Sequence, residues 1–141
     1  MIKLKWVILS AVAVLFFIST GSAVLQTNPQ SQDPGVGPVK DVTLGAINKK
    51  IADDGKKIYM AKCNACHELD QKKIGPPLRN ITKDRKPEYI MNLLVNATQM
   101  QKQDPFVKEL IKKYNNIQMP DPAINQLQAR SVLEYLRSVV K

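Results

Sequence analysis

The stretch from Cys63 to His67 holds both cysteines of the chain and its only histidine. The two thiols lie three positions apart, so each can add to one vinyl group of a porphyrin. The imidazole that follows the second cysteine then lies under the iron and supplies a nitrogen ligand. C-x-x-C-H is the pattern of covalent haem attachment. The motif therefore predicts one haem c, attached through Cys63 and Cys66 and ligated by His67.

Two other kinds of site use the same thiols. A thioredoxin-type redox pair belongs to a strand-containing βαβ setting, but few stretches of this chain alternate as strands do. A structural zinc site normally needs four ligands, whereas the chain has only three Cys and His residues, crowded into one motif. Two cysteines are also too few for a disulfide framework. Haem attachment is the favoured interpretation.

The first 25 residues differ in composition from the rest. Lys3 and Lys5 precede an apolar run, and small residues follow from 19 to 23. This order is typical of a secretory signal peptide. Residues 6–25 carry no charge and are also long enough to remain as a membrane anchor. Both interpretations predict an extracytoplasmic (periplasmic) protein, exported across the inner membrane or tethered to it.

Residues 26–40 are polar and rich in proline and glycine, which is typical of a flexible linker. The folded domain is therefore predicted to span residues 41–141, a length that fits one domain. Large aromatic side chains are few in this range, so its core is thin for its size. A haem in the middle would complete that core.

Helical signals dominate the predicted domain. Asp53 or Asp54 is expected to cap a helix that leads to the cysteines. Pro87, Asp104 and Asn125 mark three later helix starts. The apolar positions expected along the four helices are Tyr59, Tyr89, Ile90, Leu93, Leu94, Phe106, Leu110, Ile111, Tyr114, Leu127, Val132, Leu133, Tyr135, Leu136 and Val139.

From about residue 55 to residue 139 the chain resembles a small class I cytochrome c. The attachment motif is the specific part of the likeness. The weaker matches are Gly55 and Tyr59 before the motif, Gly75-Pro76-Pro77-Leu78, Met119-Pro120 and residues 132–136.

The resemblance implies an all-α cytochrome c fold wrapped around one covalent haem. It implies that the first and last helices cross, with Gly55 allowing close approach and Tyr135 packing there. It also implies that the Pro76 carbonyl accepts a hydrogen bond from the second ring nitrogen of His67. Such a bond fixes the ring orientation and raises the basicity of the ligand.

The sixth iron ligand has to be sought among the methionines, because there is no second histidine and a thioether is the next candidate. Position disfavours three of the five, namely Met1, Met60 and Met91. Met119 and Met100 remain open. Met119 is favoured because it lies in a proline-marked loop before the last helix, where a side chain can be aimed without breaking a helix.

Iron held by His67 and Met119 has no free position for a substrate. The expected function is single-electron transfer between extracytoplasmic or membrane partners of a respiratory chain, without enzymatic catalysis. The alternative is a gas-binding or sensing haem protein whose sixth iron position is open.

The net charge of +9 predicts acidic partners. The resemblance allows a terminal oxidase, a bc-type complex or a nitrogen-oxide reductase as the redox partner. No nucleic-acid partner is expected for an exported protein. The chain is expected to be a monomer, with a membrane tether at residues 6–25 if the anchor is kept.

Overall fold

The structure, a computed structural model, describes residues 33–141. These residues form six α-helices and contain no strand, which confirms the predicted all-α class. The helices are α1 (Lys49–Lys62), α2 (Ile81–Asp84), α3 (Pro87–Val95), α4 (Ala97–Gln103), α5 (Pro105–Lys113) and α6 (Gln126–Ser138). None of them has the length and apolar character that a membrane span needs. The predicted signal peptide or anchor, and residues 26–32 of the predicted linker, lie outside the described residues.

Three helices begin where the sequence predicted. Pro87 is the first residue of α3. Asp104 caps α5 by accepting a 2.8 Å hydrogen bond from the Val107 amide. Asn125 and Gln128 form a capping box at α6, in which each side chain bonds the other residue's amide. These starts follow from local chemistry. The Asp104 and Asn125 side chains each accept from a main-chain amide that the helix leaves unpaired, and Pro87 has no amide hydrogen that would need a partner.

The predicted cap of α1 was wrong. The helix begins five residues earlier, and Asn48 caps it by accepting a hydrogen bond from the Ile51 amide. Asp53 and Asp54 lie within the helix and form exposed ion pairs with Lys49 and Lys57.

Helices α1 and α6 cross at Gly55. A Cβ atom built on this residue would lie 1.8 Å from the Ser131 carbonyl oxygen, so any side chain would force the helices apart. One turn further on, the Tyr59 and Tyr135 rings contact each other with their centroids 5.2 Å apart. The crossing fixes the direction in which α1 delivers the residues that follow it.

The first turn of α1 is tied to α6 through Glu134, which is 1% exposed. Its carboxylate accepts a 2.8 Å hydrogen bond from the Asn48 amide. It also forms ion pairs with the guanidinium groups of Arg137, at 2.8 Å, and Arg130, at 3.4 Å. Burial alone would raise the pKa of this carboxyl. The amide and the two arginines outweigh burial, so the pKa is lowered from its ordinary value.

The buried face of α6 includes Ala129, Val132, Leu133 and Leu136. Leu127 was expected to be buried with them, but it is 81% exposed. It lies two positions before Ala129, which places it about 200° around the helix and on the opposite face.

A second, smaller cluster of buried side chains consists of Tyr89, Met100 and Val107, with Val36, Leu93, Phe106 and Ile111 packed against it. The Tyr89 hydroxyl donates to the carboxylate of Asp104, the same residue that caps α5. This cluster joins α3, α4 and α5.

Residues 34–39, which the sequence assigned to a flexible linker, pack against α3 and α4; we call them the strap. The fully buried Asn92 side chain accepts a hydrogen bond from the Val39 amide and donates to the carbonyls of Val39 and Pro34. A Cβ at Gly37 would lie 2.2 Å from the Asn92 oxygen. The packed structure therefore begins before residue 41. Glycine in this segment permits close contact with Asn92, although glycine is also typical of flexible linkers.

We expect Glu134→Gln to destabilise the protein by about 2 kcal/mol at neutral pH, because two arginines lose their anionic partner inside the fold. The Glu134 pKa is lower in the folded protein than in the unfolded chain, so its stabilisation is present above the unfolded value of 4.5 and is lost as the pH falls. Urea unfolding of both proteins between pH 7 and pH 3 measures the effect. An unchanged gap between the two curves at acid pH would contradict this role.

Candidate haem-binding site

The cysteine motif forms a tight turn directly after α1. The Cys63 amide donates to the Tyr59 carbonyl at 2.8 Å, and the amides of Cys66 and His67 both donate to the Cys63 carbonyl, at 3.0 and 2.9 Å. Cys63 is buried, whereas Cys66 and His67 are partly exposed. The turn thus follows from the end of α1, whose position the crossing with α6 determines.

The imidazole of His67 is oriented by the loop that contains Pro76. Its Nδ1 atom lies 2.9 Å from the Pro76 carbonyl oxygen. A carbonyl only accepts hydrogen bonds, so Nδ1 donates, and in the neutral imidazole Nε2 then carries the lone pair. Nε2 is then the nitrogen that can ligate iron.

Gly75 lies against the same imidazole. A Cβ on this residue would be 2.3 Å from His67 Cε1 and 2.8 Å from Nδ1. The loop is held in place by the Gly75 amide, which donates to the Cys66 carbonyl at 2.9 Å. The close contact explains why glycine precedes Pro76.

Tyr59 supports the motif from the helix crossing. Its hydroxyl donates to the His67 carbonyl at 3.0 Å. Burial, followed by the nearby Tyr135, raises the pKa of Tyr59 to about 12. The hydroxyl therefore keeps its proton, and its hydrogen bond, well into the alkaline range.

Met119 lies in the segment between α5 and α6. Its side chain is partly buried and packs against the core cluster that contains Cys63. Its main chain is held by Gln101 of α4, whose side chain accepts from the Met119 amide and donates to the Met119 carbonyl, both at 2.8 Å. Met119 thus packs against the core cluster of which Cys63 is a member.

Met100, the other methionine left open by the sequence, has a different environment. It is fully buried, and its sulfur accepts a hydrogen bond from the Val36 amide of the strap at 3.0 Å. It packs in the second cluster, with Tyr89 and Val107. Met91, expected to be a core residue, is buried, and Met60 is 53% exposed on α1.

The environment of Cys63 does not suit a redox-active thiol. Burial, and then the neighbouring Cys66, raise the pKa of the Cys63 thiol. Reactive cysteines instead have a lowered pKa in electropositive, exposed surroundings. A thiol in apolar surroundings, close to a histidine whose Nε2 can ligate iron, suits attachment to a porphyrin.

Cys63, Cys66 and His67 therefore fit a covalent haem, with the thiols on one turn and the imidazole oriented by Pro76 and Gly75. The cytochrome c family model matches residues 52–140. The chain belongs to the cytochrome c family. Membership brings with it one covalently bound haem c and its iron, attached through the two cysteines of the motif.

Solved structures of other cytochromes c share this fold. A cytochrome c from Rhodothermus marinus is 45% identical, with a TM-score of 0.71, over 73% of this chain and 89% of that one. An engineered form of it, bound to a carbene intermediate, is 43% identical over the same shares, with a TM-score of 0.67. A cytochrome c domain from Pseudomonas putida, 24% identical over 60% of this chain and 85% of that one, has a TM-score of 0.53 and supports the fold alone. No curated protein matches the sequence.

Sequence reasoning missed two residues of the site. Gly75 was noted only as part of a short resemblance, and its contact with the His67 ring becomes visible only in the folded loop. Gln101 was not noted at all, because a glutamine on a polar helix face gives no sequence signal for a hydrogen bond to a residue 18 positions away.

We expect Gly75→Ala to displace the imidazole or the loop, because the new Cβ cannot share space with His67 Cε1. The haem-loaded variant should be less stable by about 2 kcal/mol. Its reduction potential should rise, since a weaker hydrogen bond to Pro76 makes His67 a less basic ligand. Urea unfolding and redox titration measure both quantities. Gly45→Ala is the control, because nothing lies within 4 Å of its Cβ position. Equal stabilities and equal reduction potentials for the two variants would refute the role of Gly75 in placing the His67 ring.

Proposed function

We propose that this haem c electron carrier holds its iron between His67 and Met119 and passes single electrons between extracytoplasmic or membrane partners of a respiratory chain. The observation that carries the proposal is the placement of the two candidate thioethers. Met119 packs against the core cluster of which Cys63 is a member, whereas the Met100 sulfur accepts a hydrogen bond from the Val36 amide of the strap.

Haem, when bound, supplies the one-electron couple between ferric and ferrous iron. The chain's contribution is to hold the ligands and exclude water. A thioether as sixth ligand favours the reduced iron and raises the reduction potential. It also occupies the position that a substrate would need, so the proposal is of a carrier and not of an enzyme.

The proposed docking surface consists of Lys72, Lys73, Ile74, Tyr114 and Ile117. The Lys72 ammonium lies 5.0 Å from the centre of the Tyr114 ring, which brings the loop before Gly75 beside the end of α5. The Lys73 ammonium donates to the Asn64 carbonyl within the attachment motif. Ile74 and Ile117 are 45% and 50% exposed.

An apolar centre with lysines beside it suits a transient partner with a carboxylate-rich surface. The charges steer the encounter, and the isoleucines lose water when the partners meet. Two other lysines, Lys57 and Lys112, already pair with Asp54 and Glu109. The partners we propose are a terminal oxidase, a bc-type complex or a nitrogen-oxide reductase.

The location we propose is outside the inner membrane. Its support is the order of the first 25 residues, with basic residues, an apolar run and small residues in turn. Covalent haem attachment is consistent with export. Mass spectrometry of the protein isolated from its own cells, which would show residues 1–25 as removed or retained, separates a secreted carrier from a tethered one.

The first test is an optical spectrum of the haem-loaded protein, ferric and ferrous, with and without carbon monoxide. We expect low-spin spectra with a thioether-to-iron band that Met119→Ala abolishes and Met100→Leu preserves. We also expect no reaction with carbon monoxide except in the Met119 variant. A ferrous wild-type protein that is high-spin and binds carbon monoxide at once would instead support a gas-binding or sensing protein.

The second test concerns the docking surface. Electron transfer to an acidic redox protein, followed by stopped flow, should slow about tenfold as ionic strength rises from about 0.01 M to about 0.1 M, because the Debye length shortens from about 30 Å to about 10 Å. Lys72→Glu should slow the reaction at low salt. The control is Lys50→Glu, which changes the charge equally at the start of α1, about 20 Å along the helix axis from the attachment motif at its end. Equal slowing by both variants, or rates that do not respond to salt, would rule out this surface.

A further inference from the structure

Gln101 makes an unusually complete contact with the main chain of Met119. Its amide oxygen accepts from the Met119 amide, and its amide nitrogen donates to the Met119 carbonyl, both at 2.8 Å. The same nitrogen also donates to the Ala97 carbonyl one turn back in α4, at 3.1 Å. The side chain therefore occupies both hydrogen-bonding groups of Met119 much as a neighbouring strand would.

The segment that contains Met119 has little regular structure of its own. Positive φ angles of 58°, 58° and 50° occur at Asn115, Asn116 and Ala123. Residues other than glycine adopt such angles at an energetic cost. No helix covers residues 117–125. The direction of the Met119 side chain thus depends on contacts from outside the segment.

Helix α4 is a firm support for such a contact. Met100, the neighbour of Gln101, is fully buried, and its sulfur accepts the Val36 amide. At the start of the helix, the Asn96 side chain donates to the Val36 carbonyl at 3.0 Å. At its end, the Asp104 amide donates to the Met100 carbonyl, and the Asp104 carboxylate caps α5. The strap and α5 thus restrain α4 at both ends.

We propose that Gln101 is a positioning residue for the sixth iron ligand: its amide group holds the Met119 main chain so that the thioether stays on the iron. The inference rests on the proposed His67 and Met119 ligation. Gln101 does not touch the iron. Its role is to lower the fraction of molecules in which Met119 has left the metal.

The fraction of open molecules can be measured with imidazole, which binds ferric iron only where Met119 has left it. The apparent affinity for imidazole equals its intrinsic affinity multiplied by the open fraction. For full-length haem-loaded protein we expect Gln101→Leu to bind imidazole on the order of tenfold more tightly than wild type, because two hydrogen bonds to the closed loop are lost.

Gln103→Leu is the matched control. Gln103 lies on the same helix, is exposed, and donates its side-chain amide to Gln99 at 2.9 Å, away from Met119. We expect wild-type imidazole affinity for this variant. A role in overall stability alone would lower the urea midpoint of Gln101→Leu and leave its imidazole affinity unchanged, because the globally unfolded fraction is negligible in native buffer.

Gln101→Glu provides a second measurement and serves if the leucine variant does not fold. An ionised glutamate still accepts from the Met119 amide, but its second oxygen would face the Met119 carbonyl oxygen without a proton to share, so we expect it to bind imidazole more tightly than wild type. Wild-type affinity in both Gln101 variants, with a thioether band that Met119→Ala abolishes, would overturn the role of Gln101 and leave the ligation intact. A wild-type protein without that band would overturn the ligation itself, and the inference with it.

Discussion

The rest of the site depends on the contact between α1 and α6 at Gly55, where a Cβ atom would lie 1.8 Å from the Ser131 carbonyl oxygen. Two helix backbones can come this close only when one residue has no side chain. The end of α1 leads directly into the turn that contains Cys63, and the start of α6 follows the segment that contains Met119. Close packing of the two helices therefore fixes where the attachment turn begins and where the segment of Met119 ends. Glu134 reinforces the arrangement, since it bonds the first amide before α1 from within α6.

The parts of this structure that could be predicted from the sequence are those set by neighbouring residues. The C-x-x-C-H motif is a local chemical pattern. Asp104 and Asn125 bond amides three residues further on, and Pro87 is suited to a first helical position by its own ring. The cap of α1 was harder, because three side chains in its first turns can accept from a main-chain amide. Asn48 is selected partly by Glu134, which lies 86 residues further along the chain. No nearby residue carries that information.

The misassigned linker illustrates the same limit. Proline and glycine are typical both of flexible linkers and of chain segments that approach other residues closely. Only the folded partner distinguishes them: Asn92 fills the space where a Gly37 side chain would lie, and Met100 lies 2.9 Å from the Cβ position of Gly35. Composition predicted a flexible linker for residues 34–39. It could not show their contact with the Asn92 side chain, which lies more than 50 positions further along the chain. Met119, in contrast, was favoured as the sixth ligand because of the loop in which it lies. No signal in the sequence indicated Gln101, which bonds its main chain.

The strap has a practical consequence for shortening the protein. A chain cut at residue 41, where the composition changes, would lose the carbonyls and the amide that satisfy Asn92 and the amide that bonds the Met100 sulfur. A buried amide without partners is costly, so α3 and α4 would have to rearrange or admit water. Because α4 also carries Gln101, the disturbance would reach the loop of Met119. A shortened form meant to keep the native haem environment should therefore retain the chain from residue 33 onward.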